Sequence, residues 1–411
     1  QFKARAKDSL EKHCGLDPVA YGKLCSVLQY VEGEYGHPTT CERLRQVLGG
    51  AKRPLFYLAI PPSRFATVIE GLAKSCSIKD ARVVVEKPFG RDLASAQELN
   101  RTLHAHFPEQ AIFRIDHYLG KEPVQNLIYF RFANPMIEAG WNNQHIESVQ
   151  ISMAESFGVA GRGKFYEEAG AVRDVVQNHM LQVIACLAEE CPTGKDHEAR
   201  RHERGRLLKA VRTLEPSDVL RGQFRGYRHE PGVAPDSQVE TFAAIRFQID
   251  NERWNGVPFY VRVGKCLPVT ATEVLVRLKR PPRPVLDELD PPLANYYRFR
   301  LNPEVVIALG TKAKKPGEFM VGERIELVAC HQAPDEMGPY ERLLGDAANG
   351  DATLFAREDS VEEAWRVVNP VIGNATPLTE YEPNTWGPPK VERDLAPEGG
   401  WHNPTSKEVY S

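Results

Sequence analysis

What this chain lacks narrows it first. Its eight cysteines (Cys14, Cys25, Cys41, Cys76, Cys186, Cys191, Cys266 and Cys330) form no Cys-x-x-Cys pair and stand at no zinc spacing with histidine. Neither a zinc ribbon nor a dithiol redox centre is therefore expected, and the thiols read as free and buried in a reducing cytosol. Charge of one sign is missing too: 52 Lys+Arg against 55 Asp+Glu leave a net charge of -3. No global field recruits nucleic acid or an anionic membrane, so any phosphate must be held by a local cluster. No apolar run approaches bilayer length, and the opening shows no signal-peptide pattern. A Gly-x-x-x-x-Gly-Lys-Ser/Thr loop, internal repeats and low-complexity tracts are likewise absent. What is there is an ordinary globular composition, 42% hydrophobic over 411 residues, enough for two domains with sizeable cores.

The chain opens on Gln1, already inside a helical pattern: Phe2, Ala6 and Leu10 recur every four residues with no capping signal ahead of them. This points to a chain without its natural start. Strand and helix patterns then alternate. Leu55 to Ile60 is a short apolar run closed by Pro61-Pro62, and Ser63 to Ser75 is helical. Val83-Val84-Val85 is a second buried strand, stopped by Glu86-Lys87-Pro88; Leu93 to His106 is helical, and Ala111 to Ile115 is a third strand. Continuous apolar strands between helices predict a parallel sheet covered on both faces, whose ligands sit beyond the strands' carboxyl ends. Pro61-Pro62, Glu86-Lys87-Pro88 and Asp116-His117 all lie at such ends.

From about Glu122 the pattern changes. A half-buried strand is predicted from Glu147 to Glu155 and a long helix from Tyr166 to Ala188. Further strands follow at Thr241 to Ile249, Pro258 to Val263, Thr272 to Leu278, Val305 to Leu309 and Arg324 to Cys330. Their period of two predicts a mostly antiparallel sheet. Arg280 to Pro284 reads as a loop, and the tail from Pro383 to Ser411 as a surface wrap.

The richest segment is Arg114-Ile115-Asp116-His117-Tyr118-Leu119-Gly120-Lys121-Glu122. It gathers a carboxylate, an imidazole, a phenol and an ammonium where a strand stops. A helix with Val124, Leu127, Ile128 and Tyr129 on its first face begins there, and such a junction suits a phosphate. His179 is the second candidate. An isolated histidine among Val172, Val175, Val176 and Met180 reads first as a satisfied core residue, yet Asp174, Asn178 and His179 together interrupt an apolar helix and need partners. Asp116 could be one, and a carboxylate on an imidazole makes a general base. Lys87, ordinarily a surface lysine, sits at a buried strand's end before Pro88, where the peptide bond could be cis. Lys265 and Glu155 close strands of the second half, with a salt bridge and an exposed acid as their plain readings. Gly158, Gly161 and Gly163 have no dinucleotide spacing and read as a loop.

Taken together, these segments resemble the glucose-6-phosphate dehydrogenase family. The likeness rests on Leu58 to Pro62, Glu86 to Asp92, Arg114 to Glu122, Phe165 to His179, Asn251 to Trp254, Gly256 to Phe259 and Gly264-Lys265, in the family's order. It implies a partial Rossmann-like α/β NADP-binding domain over 1–120, followed by an α+β domain over 121–411. The second domain would bind substrate through a large, mostly antiparallel sheet and form a homodimer or homotetramer. It also implies oxidation of glucose 6-phosphate to the lactone with NADP, without a metal, in the cytoplasm. His179 would be the base and Asp116 its partner. His117, Tyr118 and Lys121 would hold the phosphate, Glu155, Asp174 and Lys265 the sugar. Lys87 would touch sugar and cofactor, with Pro61 and Glu86 on the cofactor side. Three departures stand out: no Gly-x-x-Gly-Asp-Leu turn occurs, a hydroxyl-bearing aromatic is replaced by Phe65, and a second cation by Thr270. The first leaves open a second reading, a silent sugar-phosphate-binding or structural subunit. A third, an enzyme of unphosphorylated sugars, is disfavoured by His117, Tyr118 and Lys121.

Overall fold

A computed structural model describes residues 1–13, 15–75, 80–159, 161–194, 196–283, 294–317, 319–330 and 337–406. Contacts divide the chain into two compact units, 1–84 with 101–112 and 85–100 with 113–411.

The first unit opens with helices α1 (Phe2–His13), α2 (Pro18–Val27) and α3 (Pro38–Leu48). The Asp17 carboxylate caps α2 by accepting from Val19 N at 2.7 Å and Ala20 N at 3.1 Å. Strand β1 (Leu55–Leu58) and helix α4 (Phe65–Ser75) follow, with Phe65, Ile69 and Leu72 buried four and three apart. Strand β2 (Arg82–Glu86), helix α5 (Leu93–His104) and strand β3 (Ile112–Ile115) complete the strand–helix alternation expected from the sequence, and the small sheet has the order β1-β2-β3. The unit boundary falls within β2 and β3.

The second unit continues through α6 (Glu122–Phe132), α7 (Pro135–Ala139) and β4 (Ile146–Ala154). Tyr129, placed by the pattern on the inner face of α6, is 73% exposed, while Val124, Leu127 and Ile128 are buried. β4 is not half-buried: as a central strand it is covered on both faces, so Ser148, Gln150 and Ser152 are as hidden as Val149 and Ile151. The expected long helix is three pieces. Helix α8 (Gly163–Ala171) breaks at Gly170 (φ 65°, ψ 175°), a π-helical segment runs from Val172 to Met180, and α9 (Leu181–Ala188) follows. Next come α10 (His197–Ala210), β5 (Val219–Phe224), β6 (Phe242–Phe247), β7 (Phe259–Gly264), β8 (Ala271–Leu278), β9 (Tyr296–Asn302), β10 (Val306–Lys314) and β11 (Gly322–Cys330). Helices α11 (Pro339–Asn349) and α12 (Glu358–Val368), strand β12 (Leu378–Tyr381) and helix α13 (Lys390–Asp394) complete the unit.

The large sheet has the order β11-β10-β9-β8-β4-β7-β6-β5-β12. It is antiparallel except for the β4–β7 and β5–β12 pairs. Strands β5 and β9 escaped the sequence reading because Arg221, Gln223, Arg298 and Arg300 are buried with partners rather than facing solvent; β12 is only the four residues Leu378–Tyr381, too short to show a period. The tail is anchored rather than merely wrapped: Val391, Leu395 and Trp401 join the cluster of Phe224, Tyr227 and Phe242. Arg280 to Arg283 is a loop as expected; Pro284 and residues 407–411 lie outside the described residues. Cys25, Cys41, Cys186, Cys191, Cys266 and Cys330 are free thiols. Cys191 and Cys330 are exposed, against the expectation of burial; Cys14 and Cys76 lie outside the described residues. Among the described residues no helix is long and apolar enough to cross a membrane.

Candidate active site

β3 ends at Ile115, and the next six residues turn tightly. Leu119, Gly120 and Lys121 donate backbone N–H bonds to the carbonyls of Asp116, His117 and Tyr118 at 3.0–3.2 Å. The Asp116 carboxylate shapes that turn by accepting from Tyr118 N at 3.0 Å. The same Oδ1 stands 2.5 Å from His179 Nδ1, and both side chains are 2% exposed. This fixes the imidazole's orientation and leaves Nε2 as the nitrogen that can take a proton. Asp116 Oδ2 is buried with no partner among the described residues.

The π-helical segment brings His179 there. Its wide turns are supported by side chains within the segment: Asn178 Nδ2 donates to Arg173 O at 3.1 Å, and His179 N donates to Asn178 Oδ1 at 2.6 Å. Insertions of this kind are frequent at functional sites. Lys87, beyond β2 and joined to Pro88 by a cis bond, donates to Asp174 O at 2.7 Å and Oδ1 at 3.2 Å. Tyr118 stacks on the His179 ring with centroids 4.4 Å apart, and its hydroxyl lies 3.3 Å from Thr272 Oγ1. The His117 ring meets His179 edge-on at 4.5 Å, and Lys121 Nζ lies 4.3 Å over the Tyr118 ring. Lys265 is buried, paired with Glu155, and acts electrostatically on Asp174. Ten of the eleven site residues expected from the sequence, Glu86 included, thus lie in this unit. Pro61 and the departure Phe65 both lie in the first unit, Pro61 exposed and Phe65 a buried packing residue of α4.

The electrostatics suit a base that stays unprotonated until needed. Burial and the Lys87 charge push His179 below the usual imidazole range, against the pull of Asp116. His117 falls to about 4 through burial and the neighbouring His179, Lys87 and Lys121. Burial also lowers Lys121. Asp116 and Asp174 resist the upward push of burial and titrate below ordinary carboxylates, held ionised by His179 and Lys87 respectively. Asp116, His117 and His179 each bring a potential ligand atom within 4.8 Å of the others, yet the Asp116–His179 bond already uses one atom from each. A surface cleft beside Glu138, Glu190 and Arg253 is lined by the salt bridges of Arg253 to Glu138 at 2.9 Å and to Glu190 at 2.7 Å.

Tyr340 was not foreseen. It stacks on His117 at 6.0 Å with planes 16° apart, and its hydroxyl lies 3.5 Å from Glu86 Oε2. Its helix α11 approaches because Gly120 has no Cβ; one there would meet Leu343 at 2.9 Å and Pro339 O at 3.0 Å. Gly338-Pro339, followed by Leu343 and Ala347, was the available signal for that helix. Thr270, the missing cation, is a loop tie: its Oγ1 accepts from Ser156 N at 3.0 Å and meets Ser156 Oγ at 2.8 Å.

Sequence models of two domains match the chain, "Glucose-6-phosphate dehydrogenase, NAD binding domain" over 1–126 and "Glucose-6-phosphate dehydrogenase, C-terminal domain" over 128–402. The chain belongs to the glucose-6-phosphate dehydrogenase family. Glucose-6-phosphate 1-dehydrogenase 1 of Mycobacterium tuberculosis is 40% identical over 400 residues, covering 97% of this chain and 86% of that protein. The crystal structure of glucose-6-phosphate 1-dehydrogenase from Mycobacterium avium superposes with a TM-score of 0.92 at 40% identity, covering 99% of this chain and 89% of that one. A glucose-6-phosphate dehydrogenase solved with its substrate glucose 6-phosphate gives 0.85 at 34% identity, covering 95% and 86%. As a member of this dehydrogenase family the chain is an NADP-dependent oxidoreductase of glucose 6-phosphate, in the oxidative entry to the pentose phosphate pathway.

Proposed function

We propose that glucose 6-phosphate is oxidised at His179. The observation that carries this is the buried Asp116–His179 bond set among the Lys87, Lys121 and Lys265 ammonium groups. Lys121, His117 and Tyr118 hold the phosphate, since a dianion restores the charge that burial costs Lys121 and His117. Glu155, Asp174 and Lys265 take sugar hydroxyls. His179 Nε2 accepts the C1 hydroxyl proton while the C1 hydride leaves, and the C1–O bond becomes the lactone carbonyl. Asp116 stabilises the imidazolium so formed without itself taking the proton, as in other Asp–His pairs.

Bound NADP supplies the hydride acceptor. Glu86, Lys87 and Pro61 are the residues proposed to meet it. The fit is good at the reacting end, where Glu86 and Tyr340 bring a carboxylate and a hydroxyl beside Lys87; a Gly-x-x-Gly-Asp-Leu turn for its pyrophosphate does not occur in these 411 residues. The proposed division of labour is 1–120 for cofactor and 121–411 for substrate and assembly as a homodimer or homotetramer, in the cytoplasm.

The test is NADPH absorbance with glucose 6-phosphate, for this chain and for one extended upstream. Formation with glucose 6-phosphate and none with glucose supports the reading. Silence in both chains while glucose 6-phosphate still binds overturns it and leaves a sugar-phosphate binder.

A further inference from the structure

The residues that do the chemistry are held by a two-residue stretch that takes no part in it. Helix α8 stops at Gly170, and the π-helical segment carrying Asp174 and His179 starts two residues later with no side-chain cap of its own. Its first donors go elsewhere. Ala171 N donates to Glu240 O at 2.9 Å, and Val172 N donates to Glu240 Oε1 at 3.1 Å. Glu240 is 4% exposed, and its other oxygen accepts from Arg221 Nη2 at 3.1 Å and Nε at 3.3 Å. Arg221, on β5, is fixed in turn by donating from Nη1 to Thr376 O at 2.9 Å. The next residue works in the opposite direction: Thr241 O accepts from Lys265 N at 3.0 Å, while Lys265 O accepts from the Tyr381 hydroxyl at 2.6 Å. The fit around the carboxylate is tight, for a Cβ on Gly170 would lie 2.5 Å from Glu240 Oε1.

We propose that Glu240, locked by Arg221, is a positioning residue that sets the phase of the π-helical segment and so places His179 Nδ1 on Asp116, while Thr241 holds Lys265 to the same reference. This rests on the reading of His179 as the base. A buried carboxylate suits the place chemically, because it satisfies the open N–H groups and positive end of a helical segment. Its ion pair with Arg221 keeps it from turning away. A small rotation of the segment would lengthen a contact that now stands at 2.5 Å.

The test compares Glu240→Gln, Glu240→Ala and Gly170→Ala with the parent enzyme. The first readout is the far-downfield proton resonance of the His179–Asp116 hydrogen bond, identified by its disappearance in His179→Asn. It is expected to persist in E240Q, which keeps an acceptor for Val172 N, and to vanish or move upfield in E240A and G170A. This readout needs no turnover, so it stands even if the assignment of function fails. The second is kcat for glucose 6-phosphate with the deuterium isotope effect at C1. E240A is expected to lose about 10–100-fold in kcat, the scale of a misplacement near 1 Å, with a larger isotope effect, and E240Q to recover most of it. A purely structural role would reduce the folded fraction and leave both resonance and isotope effect unmoved, which overturns the proposal. Should E240A not fold, G170A decides the matter, and an unmoved resonance there also overturns it.

Discussion

The three opening helices and the sheet-backed site are built on opposite principles. Helices α1 and α2 bury no residue and α3 buries only Cys41, while Val19 and Val27 stand 68% and 72% exposed. They are held by local devices: the Asp17 cap, a bond from the Tyr21 hydroxyl to Lys3 O at 2.7 Å, and the Phe2–Tyr30 ring contact at 5.1 Å. In the second unit even charged groups are buried, many of them with a charged partner that reaches them from another element. Glu273 accepts from Arg298 at 3.2 Å and Arg300 at 2.9 Å, and the Asp116–His179 bond lies equally deep. Local order therefore costs little to undo in the first region. In the second, removing one partner strands another.

The sharpest way to break that contrast is at the base. His179→Asn should lower kcat by about 10³-fold, within the range for loss of a general base, with KM for glucose 6-phosphate changed little. Stopped assays of NADPH formation measure both, and a variant within a few-fold of the parent would remove His179 from the chemistry. Hydrogen exchange tests the other side. Amides of β4 and β7 should be protected about 10²-fold or more beyond those of α1 and α2, whose opening exposes almost no buried surface. Equal protection would mean that the opening helices are covered by something other than their own contacts.

What was legible in the sequence follows the same division. The opening helix could be read from Phe2, Ala6 and Leu10 because nothing but local spacing decides it. The cluster at Asp116–Lys121 could be read because four unlike reactive groups crowd one junction. The start of the π-helical segment could not, since the carboxylate that receives its Val172 N–H lies 68 residues away in sequence, at Glu240. Nor could β5 and β9: Arg221, Arg298 and Arg300 look solvent-facing until Glu240 and Glu273 are known to meet them. Tyr340 is hidden for a similar reason, reaching His117 only because Gly120 admits its helix. Patterns of one chain segment show what that segment prefers; they do not show which distant group will neutralise its charge.

A milder perturbation separates binding from chemistry within the second region. Lys121→Ala removes an ammonium that burial already disfavours and that the phosphate is proposed to stabilise. KM for glucose 6-phosphate should rise about 30-fold, the loss of one charge-assisted hydrogen bond, with kcat within a few-fold. A fall in kcat with unchanged KM would instead place Lys121 beside the reacting carbon.

The smallest effect is on stability against pH, and its sign follows from the histidines. His117 titrates at about 4 when folded and His179 below its ordinary value, whereas both approach 6.5 in the unfolded chain. Between those limits the unfolded state binds more protons, so stability is full above about pH 6.5 and declines as pH falls toward 4. Asp116 and Asp174, lowered when folded, act in a different window: their contribution is lost only as pH falls below the ordinary carboxylate range near 4. The decline between pH 6.5 and 4.5 thus belongs to the imidazoles and should amount to roughly 1–2 kcal/mol for His117. His117→Asn should flatten the melting temperature over that interval without altering the fall below it. Saturating glucose 6-phosphate should flatten it as well, because a phosphate beside His117 favours the protonated ring. If the substrate left the slope unchanged while still binding, the phosphate would lie away from His117, and the turn at Asp116–Lys121 would have to be reread as support for the base alone.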